Sequence, residues 1–240
     1  MTDLKNKKIL VTGSTDGLGR LLATELAKLG AEIIVHGREE GKAREVLAEL
    51  KKVNSKVKHS RIICDFNKPG TVSKAFSKIT ALDILVNNAG VWEEGDTINI
   101  SIDRLLELVN VNLTSYLLMT RILLPVLTKA EFAQILNVVS IAGYEVPSES
   151  FYTIYSATKF GLQGFSEALA KEFVGKDLRV MGFYPGGMAT GIFKKSGIEY
   201  NDNEPWMFDP IESAEAMIFM LTRNPKVSVK RMDLINHLQK

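Results

Sequence analysis

Short apolar segments that alternate with helical patterns are the feature of this 240-residue chain that most restricts its fold. Six segments rich in Ile, Val and Leu have the length of buried strands: residues 8–12, 32–36, 61–64, 84–87, 135–140 and 180–184. Helical patterns lie between or after them, at about residues 17–29, 40–52, 71–79, 102–127, 155–174 and 213–222. Apolar strands joined by helices are typical of a parallel sheet that is covered on both faces. The sequence therefore predicts an α/β fold with a doubly wound parallel sheet.

The composition suits one large domain that covers residues 1–240. The chain is 45% hydrophobic and 24% charged, and no linker, repeat or low-complexity segment divides it. An irregular region at about residues 186–210 is expected to form a substrate loop, since long loops in compact domains are usually functional. The net charge is only +2 and the basic residues are scattered, which argues against a nucleic-acid partner.

Membrane, disulfide and metal chemistry are all disfavoured. Residues 1–8 are polar and no stretch reaches the ~20 apolar residues that cross a bilayer, so a cytoplasmic protein without a membrane partner is expected. The one cysteine, Cys64, excludes an internal disulfide and is expected to be buried. The histidines, His36, His59 and His237, are far apart in the sequence, and no metal site is predicted.

A glycine-rich turn follows the first predicted strand and opens the first predicted helix. Its glycines allow the backbone to pass close to a ligand, and the free amides and positive dipole at a helix start favour a pyrophosphate. The turn therefore predicts a dinucleotide site on a single-domain Rossmann-type sheet. The residues expected to contact the cofactor here are Gly13, Ser14, Thr15, Gly17, Leu18 and Gly19.

Tyr155 and Lys159 are four residues apart in a predicted helix, so their side chains leave the same helical face. A cation about 4 Å from a phenol favours the phenolate by roughly 4 kcal/mol at an effective dielectric of about 20, which would lower the phenol pKa. Such a pair can transfer a proton. The alternative is an ordinary Tyr–Lys pair on a solvated helix face.

The glycine turn, the segment Asn87-Asn88-Ala89-Gly90 and the Tyr155/Lys159 pair together resemble the short-chain dehydrogenase/reductase family over residues 7–222. The resemblance implies a catalytic tetrad of Asn112, Ser140, Tyr155 and Lys159. Asn110 is the competing candidate for the first role, but the residues after Asn112 fit the family better. The resemblance also implies further cofactor contacts, from Asp65, Phe66, Asn88, Ala89, Gly90, Tyr155, Lys159, Pro185, Gly186 and Thr190.

Two departures from the family pattern stand out. Ser140 precedes Tyr155 by fifteen residues, about two more than is common, so residues 141–154 are expected to contain a small insertion. Tyr152 would restore the spacing, but Ser156 stands where its lysine should be, so Tyr155 is kept as the acid. The second departure is that residues 227–232 are compatible with a last strand, but no glycine-rich tail follows them to build the family's tetramer contacts.

The nature of the cofactor depends on the end of the second strand. An acidic residue there commonly binds the ribose diol of NAD, whereas this chain has Gly37 followed by Arg38. Arginine presents a planar fork of donors to phosphate, so NADP(H) is favoured over NAD(H). The alternatives are that Arg38 covers the adenine or pairs with Glu39 or Glu40. Asp16, where some NADP-dependent relatives have a basic residue, argues mildly the other way.

The resemblance implies an oxidoreductase that interconverts a small-molecule carbonyl and an alcohol. Tyr155 would donate the proton, Ser140 would stabilise the developing charge, Lys159 would hold the nicotinamide ribose and Asn112 a water. A non-catalytic NADP(H)-binding sensor or scaffold would be expected to lose tetrad members, and an epimerase would need a larger C-terminal domain.

Aromatic and apolar residues suggest the pocket and the assembly. An aromatic-lined pocket is predicted from Trp92, Tyr144, Tyr152, Phe193, Trp206, Met207 and Phe208.

The helices at 102–127 and 155–174 carry apolar residues on more than one face, which predicts a homodimer or homotetramer. The residues on which this expectation rests are Leu117, Leu118, Leu162, Phe165 and Leu169.

Overall fold

Seven parallel strands form one sheet in this computed structural model, which describes residues 2–146, 151–201 and 204–238. The strands are β1 (Lys8–Val11), β2 (Glu32–Gly37), β3 (Ser60–Ile63), β4 (Ile84–Asn87), β5 (Ala133–Val138), β6 (Leu178–Pro185) and β7 (Arg231–Leu234). Their order is β3-β2-β1-β4-β5-β6-β7, and every neighbouring pair is parallel. The predicted doubly wound parallel sheet is confirmed.

Helices connect the strands and cover both faces of the sheet. They are α1 (Gly17–Lys28), α2 (Glu40–Val53), α3 (Pro69–Phe76), α4 (Ile102–Val109), α5 (Ser115–Leu127), α6 (Thr153–Glu172), α7 (Ile192–Lys195) and α8 (Pro210–Leu221). Short 3-10 turns occur at Thr97–Asn99 and Ile141–Gly143. No helix in the described part of the chain is long and apolar enough to span a bilayer.

Successive strand residues enter two different cores because side chains alternate between the faces of a sheet. In β1, Ile9 and Val11 pack in the core that contains buried residues of α1, α2 and α8. Leu10, between them, packs in the core that contains residues of α3, α5 and α6. The near-continuous apolar character of the strands therefore reflects burial on both sides.

Two predicted elements differ from the structure. The single helix predicted at 102–127 is two helices, α4 and α5, separated by a π turn at Asn110–Thr114 in which the amide of Ser115 donates to Asn110. Hydrophobic periodicity continues through a one-turn π bulge, so the sequence pattern does not show it. The last strand is Arg231–Leu234 rather than 227–232, and it pairs with β6.

The strand order fixes where a ligand can bind. The chain proceeds from β1 outward to β3 on one side and then returns to β4 on the other side of β1. In sheets of this kind ligands bind in the crevice at the carboxyl ends of the strands, where the winding reverses. Thr12 and Asn88 immediately follow β1 and β4, so the predicted glycine turn and the Asn-Asn-Ala-Gly segment meet at this crevice.

Candidate active site

A cavity of about 730 Å³ lies at the carboxyl ends of the strands. The glycine turn lines one end of it and a group of aromatic side chains lines the other. Most of the predicted site residues are on its wall, namely Gly13, Thr15, Gly17, Leu18, Gly19, Arg38, Asp65, Phe66, Asn88, Ala89, Gly90, Ser140, Tyr155, Lys159, Pro185, Gly186 and Thr190. Two predicted residues, Ser14 and Asn112, are fully buried away from this wall.

The glycine turn packs too closely against its neighbours to accept side chains. Gly13 has a φ of +64°, and a Cβ there would lie 2.8 Å from the Cα of Ala89. A Cβ on Gly19 would lie 2.4 Å from the carbonyl oxygen of Gly13 and 2.5 Å from Nδ2 of Asn88. These contacts keep the turn open on its cavity side, as a backbone that cradles a phosphate requires.

Thr12 joins the ends of β1 and β4, and the sequence reasoning did not identify it. Its hydroxyl oxygen accepts hydrogen bonds from the amides of Asn88 (2.8 Å) and Ala89 (3.0 Å). The side-chain amide of Asn88 donates back to the Thr12 carbonyl at 2.9 Å. This reciprocal bonding explains how Asn88 comes to line the crevice beside the glycine turn.

His36, near the end of β2, holds the glycine turn through a hydrogen bond to its ring. Its Nδ1 accepts from the amide of Gly13 at 3.1 Å, and its Nε2 lies 3.1 Å from the Cys64 carbonyl. Burial lowers the pKa of His36 to about 4, so the ring is neutral with its proton on Nε2. The ring stacks on Phe66 with centroids 4.3 Å apart, which places Phe66 on the cavity wall.

The Ser14 side chain points away from the cavity, so a contact of Ser14 with the cofactor stays a prediction. Its hydroxyl oxygen accepts from the buried amide of His36 at 3.0 Å, and its own amide donates to the His36 carbonyl at 2.9 Å. A buried amide needs an acceptor. The Ser14 hydroxyl lies in the core because it is the acceptor for the amide of His36.

Asn112 lies in the π turn behind the cavity wall rather than on it. Its Oδ1 accepts from the amide of Val91 at 2.8 Å, and its Nδ2 donates to the Val91 carbonyl at 2.9 Å. Its competitor Asn110 donates instead to Asn67 at 3.4 Å. Of the two asparagines, therefore, Asn112 holds the segment after β4 in place, although it does not reach the cavity itself.

Ser140 and Tyr155 are brought together by the turn that follows β5. Gly143 in this turn approaches α6 so closely that a Cβ would lie 2.8 Å from the Lys159 carbonyl oxygen. The Ser140 hydroxyl donates to the Pro185 carbonyl oxygen at 3.4 Å and lies close enough to the Tyr155 phenol to lower its pKa. Part of the predicted insertion, residues 147–150, lies outside the described residues.

Lys159 is buried beside Tyr155, one helical turn along α6. Its Nζ donates to the Val138 carbonyl at 3.1 Å and lies 5.5 Å from the Tyr155 ring centroid. Burial lowers the pKa of the Lys159 ammonium to about 7 and raises the pKa of Tyr155 to about 12. A hydrogen bond from Ser140 acts in the opposite sense on Tyr155. The pKa of the Tyr155 phenol is therefore raised here, where the sequence reasoning expected it to be lowered, because desolvation by burial is the largest effect.

Tyr116 completes the wall behind Lys159 and was missed by the sequence reasoning. Its buried hydroxyl donates to the Ala89 carbonyl at 2.9 Å and lies 3.4 Å from the Val138 carbonyl. The Lys159 Nζ is 5.8 Å from its ring centroid. Tyr116 thus ties the chain after β4 to the end of β5, and both ends line the cavity.

Arg38 lies on the cavity wall just after β2, and its side chain is 63% exposed. Its guanidinium lies 3.8 Å from Glu107 on α4 and forms no ion pair with Glu39 or Glu40 among the described residues. The alternative in which Arg38 pairs with Glu39 or Glu40 is therefore not found among the described residues. A Cβ on Gly37 would lie 2.5 Å from the Thr15 side chain, so the position before Arg38 has no room for one unless Thr15 shifts.

The segment at 186–210 crosses from one end of the cavity to the other and contains the short helix α7. Lys195, at the end of α7, forms an ion pair with Asp16, which caps the start of α1. Ser196 donates to the Trp92 carbonyl, to which Arg104 on α4 also donates. Residues 202–203 of this segment lie outside the described residues.

Five aromatic residues line the far end of the cavity: Trp92, Tyr152, Phe193, Tyr200 and Trp206. Tyr200 was not predicted. Tyr144, Met207 and Phe208 were predicted but do not line the cavity: Tyr144 packs against Tyr184 and Arg231, Met207 is buried, and Phe208 pairs through its backbone with Gly187 and Ala189. Loop aromatics can pack on the protein itself, and the sequence does not distinguish that role from pocket lining.

Metal-binding clusters are absent from the part of the chain that the structure describes, in which no group of three His, Cys, Asp or Glu could hold an ion. Cys64 is buried as expected, and burial raises the pKa of its thiol, which disfavours the reactive thiolate.

Comparison with known proteins identifies the family. The short chain dehydrogenase family profile matches residues 7–201. An NADP-dependent 3-hydroxy acid dehydrogenase of Schizosaccharomyces pombe is 31% identical, over 95% of this chain and 92% of the relative. An uncharacterised oxidoreductase of Staphylococcus aureus strain MW2 is 29% identical, over 97% of this chain and 98% of the relative.

Solved structures agree on the fold. An alcohol dehydrogenase from the archaeon Thermococcus sibiricus complexed with 5-hydroxy-NADP has a TM-score of 0.88 at 22% identity, covering 98% of this chain and 99% of that one. A short-chain dehydrogenase from Sphingobium yanoikuyae in complex with NADPH has a TM-score of 0.84 at 22% identity, covering 98% and 89%. Together with the family profile, these matches show that the chain belongs to the short-chain dehydrogenase/reductase family of oxidoreductases.

Proposed function

We propose that this protein is an NADP(H)-dependent oxidoreductase that reduces a small-molecule carbonyl to an alcohol or catalyses the reverse reaction. The observation that carries the proposal is the buried group on the cavity wall, where Tyr155 lies beside Ser140 and Lys159. This group lies in the same cavity as the glycine turn, so a dinucleotide and a substrate can be bound side by side.

The residues present fit a dinucleotide. Gly13 and Gly19 leave no room for side chains of their own, and the turn between them leads into α1, where free amides favour a pyrophosphate. Arg38 offers its guanidinium to a ribose phosphate, and the preceding position, Gly37, carries no acid. The NADP-dependent relative and the NADP- and NADPH-bound structural neighbours support the choice of NADP(H) over NAD(H).

In the proposed reaction the bound nicotinamide supplies or accepts the hydride, and the protein side chains handle the proton. In the reductive direction Tyr155 donates its hydroxyl proton to the carbonyl oxygen of the substrate. Ser140 donates a hydrogen bond to the same oxygen as negative charge develops on it. Lys159, when protonated, favours the phenolate that remains and would hold the nicotinamide ribose.

Asn112 has a supporting role in this proposal. Its side chain positions Val91 on the cavity wall, and a water held at Asn112 would link Lys159 to solvent. The single-domain organisation, with residues 186–210 as the substrate loop, is part of the same proposal.

The decisive experiment is turnover with NADPH and a panel of ketones and aldehydes, followed by NADPH absorbance, beside calorimetric titration of NADPH. Carbonyl-dependent oxidation of NADPH is the expected result. Tight binding of NADPH without turnover of any carbonyl or alcohol would favour a non-catalytic sensor or scaffold instead.

Lys159→Met is expected to stabilise the fold at neutral pH. The lysine is buried, and burial lowers its pKa from 10.5 to about 7. Between about pH 7 and pH 10.5 the unfolded chain binds more protons than the native one, so the stability of the wild type rises with pH in this range. At about 1.4 kcal/mol per pKa unit the ceiling of this stabilisation is roughly 5 kcal/mol, and loss of the Lys159 hydrogen bond to the Val138 carbonyl offsets about 1–3 kcal/mol of it.

Urea unfolding of both proteins between pH 6 and pH 10 measures this effect. We expect Lys159→Met to be more stable by about 1–3 kcal/mol at pH 7, with the difference shrinking as the pH approaches 10. Lys171→Met, which removes an exposed lysine from the same helix, is the control and should show no such trend. A stability difference that does not change with pH would show that burial of the Lys159 charge is not its cause.

We also propose that the protein forms a homodimer or homotetramer. Two of the residues chosen from the sequence, Leu162 and Leu169, are buried in the chain's own cores. The exposed large apolar side chains on α5 and α6 are Leu117, at 38%, which was among the residues chosen, and Phe160, at 44%, which was not. Light scattering at micromolar concentration should give a dimer or tetramer, and Phe160→Glu should shift the mass toward the monomer. A monomeric wild type would contradict the proposal.

A further inference from the structure

The aromatic end of the cavity forms a continuous wall that begins at Tyr155. The ring of Trp92 lies 4.5 Å from that of Tyr155, measured between centroids, and 5.2 Å from Phe193. Phe193 lies 5.2 Å from Tyr200, which in turn lies 5.3 Å from Trp206. A substrate whose carbonyl reaches Tyr155 would therefore extend along aromatic rings.

One carboxylate interrupts this apolar wall. The two carboxylate oxygens of Glu94 lie 3.1 and 3.0 Å from the Tyr200 hydroxyl, which donates to them. No lysine or arginine among the described residues lies within ion-pair distance of Glu94. The adjacent Glu93, by contrast, is paired with Arg104. Glu94 therefore brings an uncompensated negative charge to the aromatic end of the cavity.

The cations on the cavity wall are already engaged elsewhere. Lys195 is paired with Asp16, Arg38 faces Glu107, and Lys159 is buried against the Val138 carbonyl. Residues 1, 147–150, 202–203 and 239–240 lie outside the described residues, and Lys240 is the one lysine or arginine among them. Among the described residues, an anionic substrate such as a hydroxy acid would thus meet Glu94 without a free cation to balance its carboxylate. In this respect the cavity does not suit the substrate class named for the yeast relative.

We propose that the aromatic end of the cavity binds a positively charged nitrogen, so that the substrate is a carbonyl or alcohol compound with an ammonium group on an apolar body. The faces of aromatic rings attract cations within about 6 Å, and rings arranged around a site are the usual means of recognising quaternary ammonium groups. Glu94 adds a countercharge that a neutral substrate would leave unpaired. This inference rests on the proposed carbonyl reaction, because the cation site lies in the same cavity as Tyr155.

The test compares two ketones of nearly the same shape, 4-acetyl-N,N,N-trimethylanilinium and 4-tert-butylacetophenone, which differ by a charged nitrogen in place of a carbon. We expect kcat/KM of the wild type to be at least tenfold higher for the cation than for the neutral ketone, and lowest for 4-acetylbenzoate. In Glu94→Gln the ratio of cation to neutral ketone should fall at least fivefold. In Glu131→Gln, which removes an exposed carboxylate outside the cavity, the ratio should stay as in the wild type.

A binding measurement separates this inference from the proposed reaction. Calorimetric titration with benzyltrimethylammonium should show binding to the wild type and about tenfold weaker binding to Glu94→Gln. If Glu94→Gln binds benzyltrimethylammonium more weakly and the wild type turns over no ketone, the cation site is supported and the reductase assignment is removed. A neutral ketone that is reduced as well as the cationic one, or an ammonium probe that binds both proteins equally, would overturn the cation site and leave the reductase assignment in place.

Discussion

Tyr155→Phe is expected to reduce turnover by about 10²–10⁴-fold while NADPH binding changes little. The ring would still pack against Trp92, but the hydroxyl beside Ser140 would be gone. Burial holds the pKa of this phenol at about 12, so near neutral pH it carries the proton that a carbonyl oxygen would receive. Steady-state rates and calorimetric NADPH titration on the same preparations measure the two effects separately.

Tyr152→Phe is the matched control, because the Tyr152 ring also packs against Trp92 and lines the same cavity. It should lower turnover far less than Tyr155→Phe does. Retention of more than a tenth of the wild-type rate by Tyr155→Phe, with a large loss in Tyr152→Phe, would transfer the role of acid to Tyr152.

Arg38→Leu is expected to weaken NADPH binding by about ten- to a hundredfold and to change NADH binding far less. A charge-assisted hydrogen bond contributes about 1.5–3 kcal/mol, which corresponds to that range. The single substitution is the cleaner test. The double variant with Gly37→Asp would add an acid for the ribose diol and move preference further toward NADH, but its new Cβ would lie 2.5 Å from the Thr15 side chain.

Arg44→Leu is the control for this prediction. Arg44 is an exposed arginine on α2 that pairs with Glu40 and does not line the cavity. It should leave the affinities for both cofactors unchanged. An unchanged NADPH/NADH affinity ratio in Arg38→Leu would show that Arg38 does not read the 2′-phosphate.

Local pattern was sufficient for the parts of the site that depend on chain order. Strand, glycine turn and helix follow one another directly, so the position of Gly13 at the crevice follows from the sequence. Tyr155 and Lys159 share a helix, and their side chains do meet beside Ser140. Spacing alone could establish this pairing, because a helix fixes which residues lie on one face.

Other features of the site depend on contacts between segments that are distant in the sequence. Ser14 turns inward because the buried amide of His36, twenty-two residues away, needs an acceptor. Asn112 faces Val91 instead of the cavity for a similar reason. The direction of the pKa shift at Tyr155 depends on how deeply this tyrosine is buried. No local pattern contains these neighbours, so the surroundings of the predicted residues could not be derived from the sequence.

The contacts of the segment at 186–210 differ in strength along its length, and this suggests how the cavity could open. Lys195 meets Asp16 through an exposed ion pair, and such pairs contribute only about 0.2–1 kcal/mol. Ser196, one residue later, shares the Trp92 carbonyl with Arg104 in a half-buried group of bonds. We therefore expect the contact between Lys195 and Asp16 to break more readily than the bonds at Ser196. Its loss would free the Lys195 side chain from the start of α1, beside the proposed phosphate site, while Phe193 keeps α7 packed against Trp92.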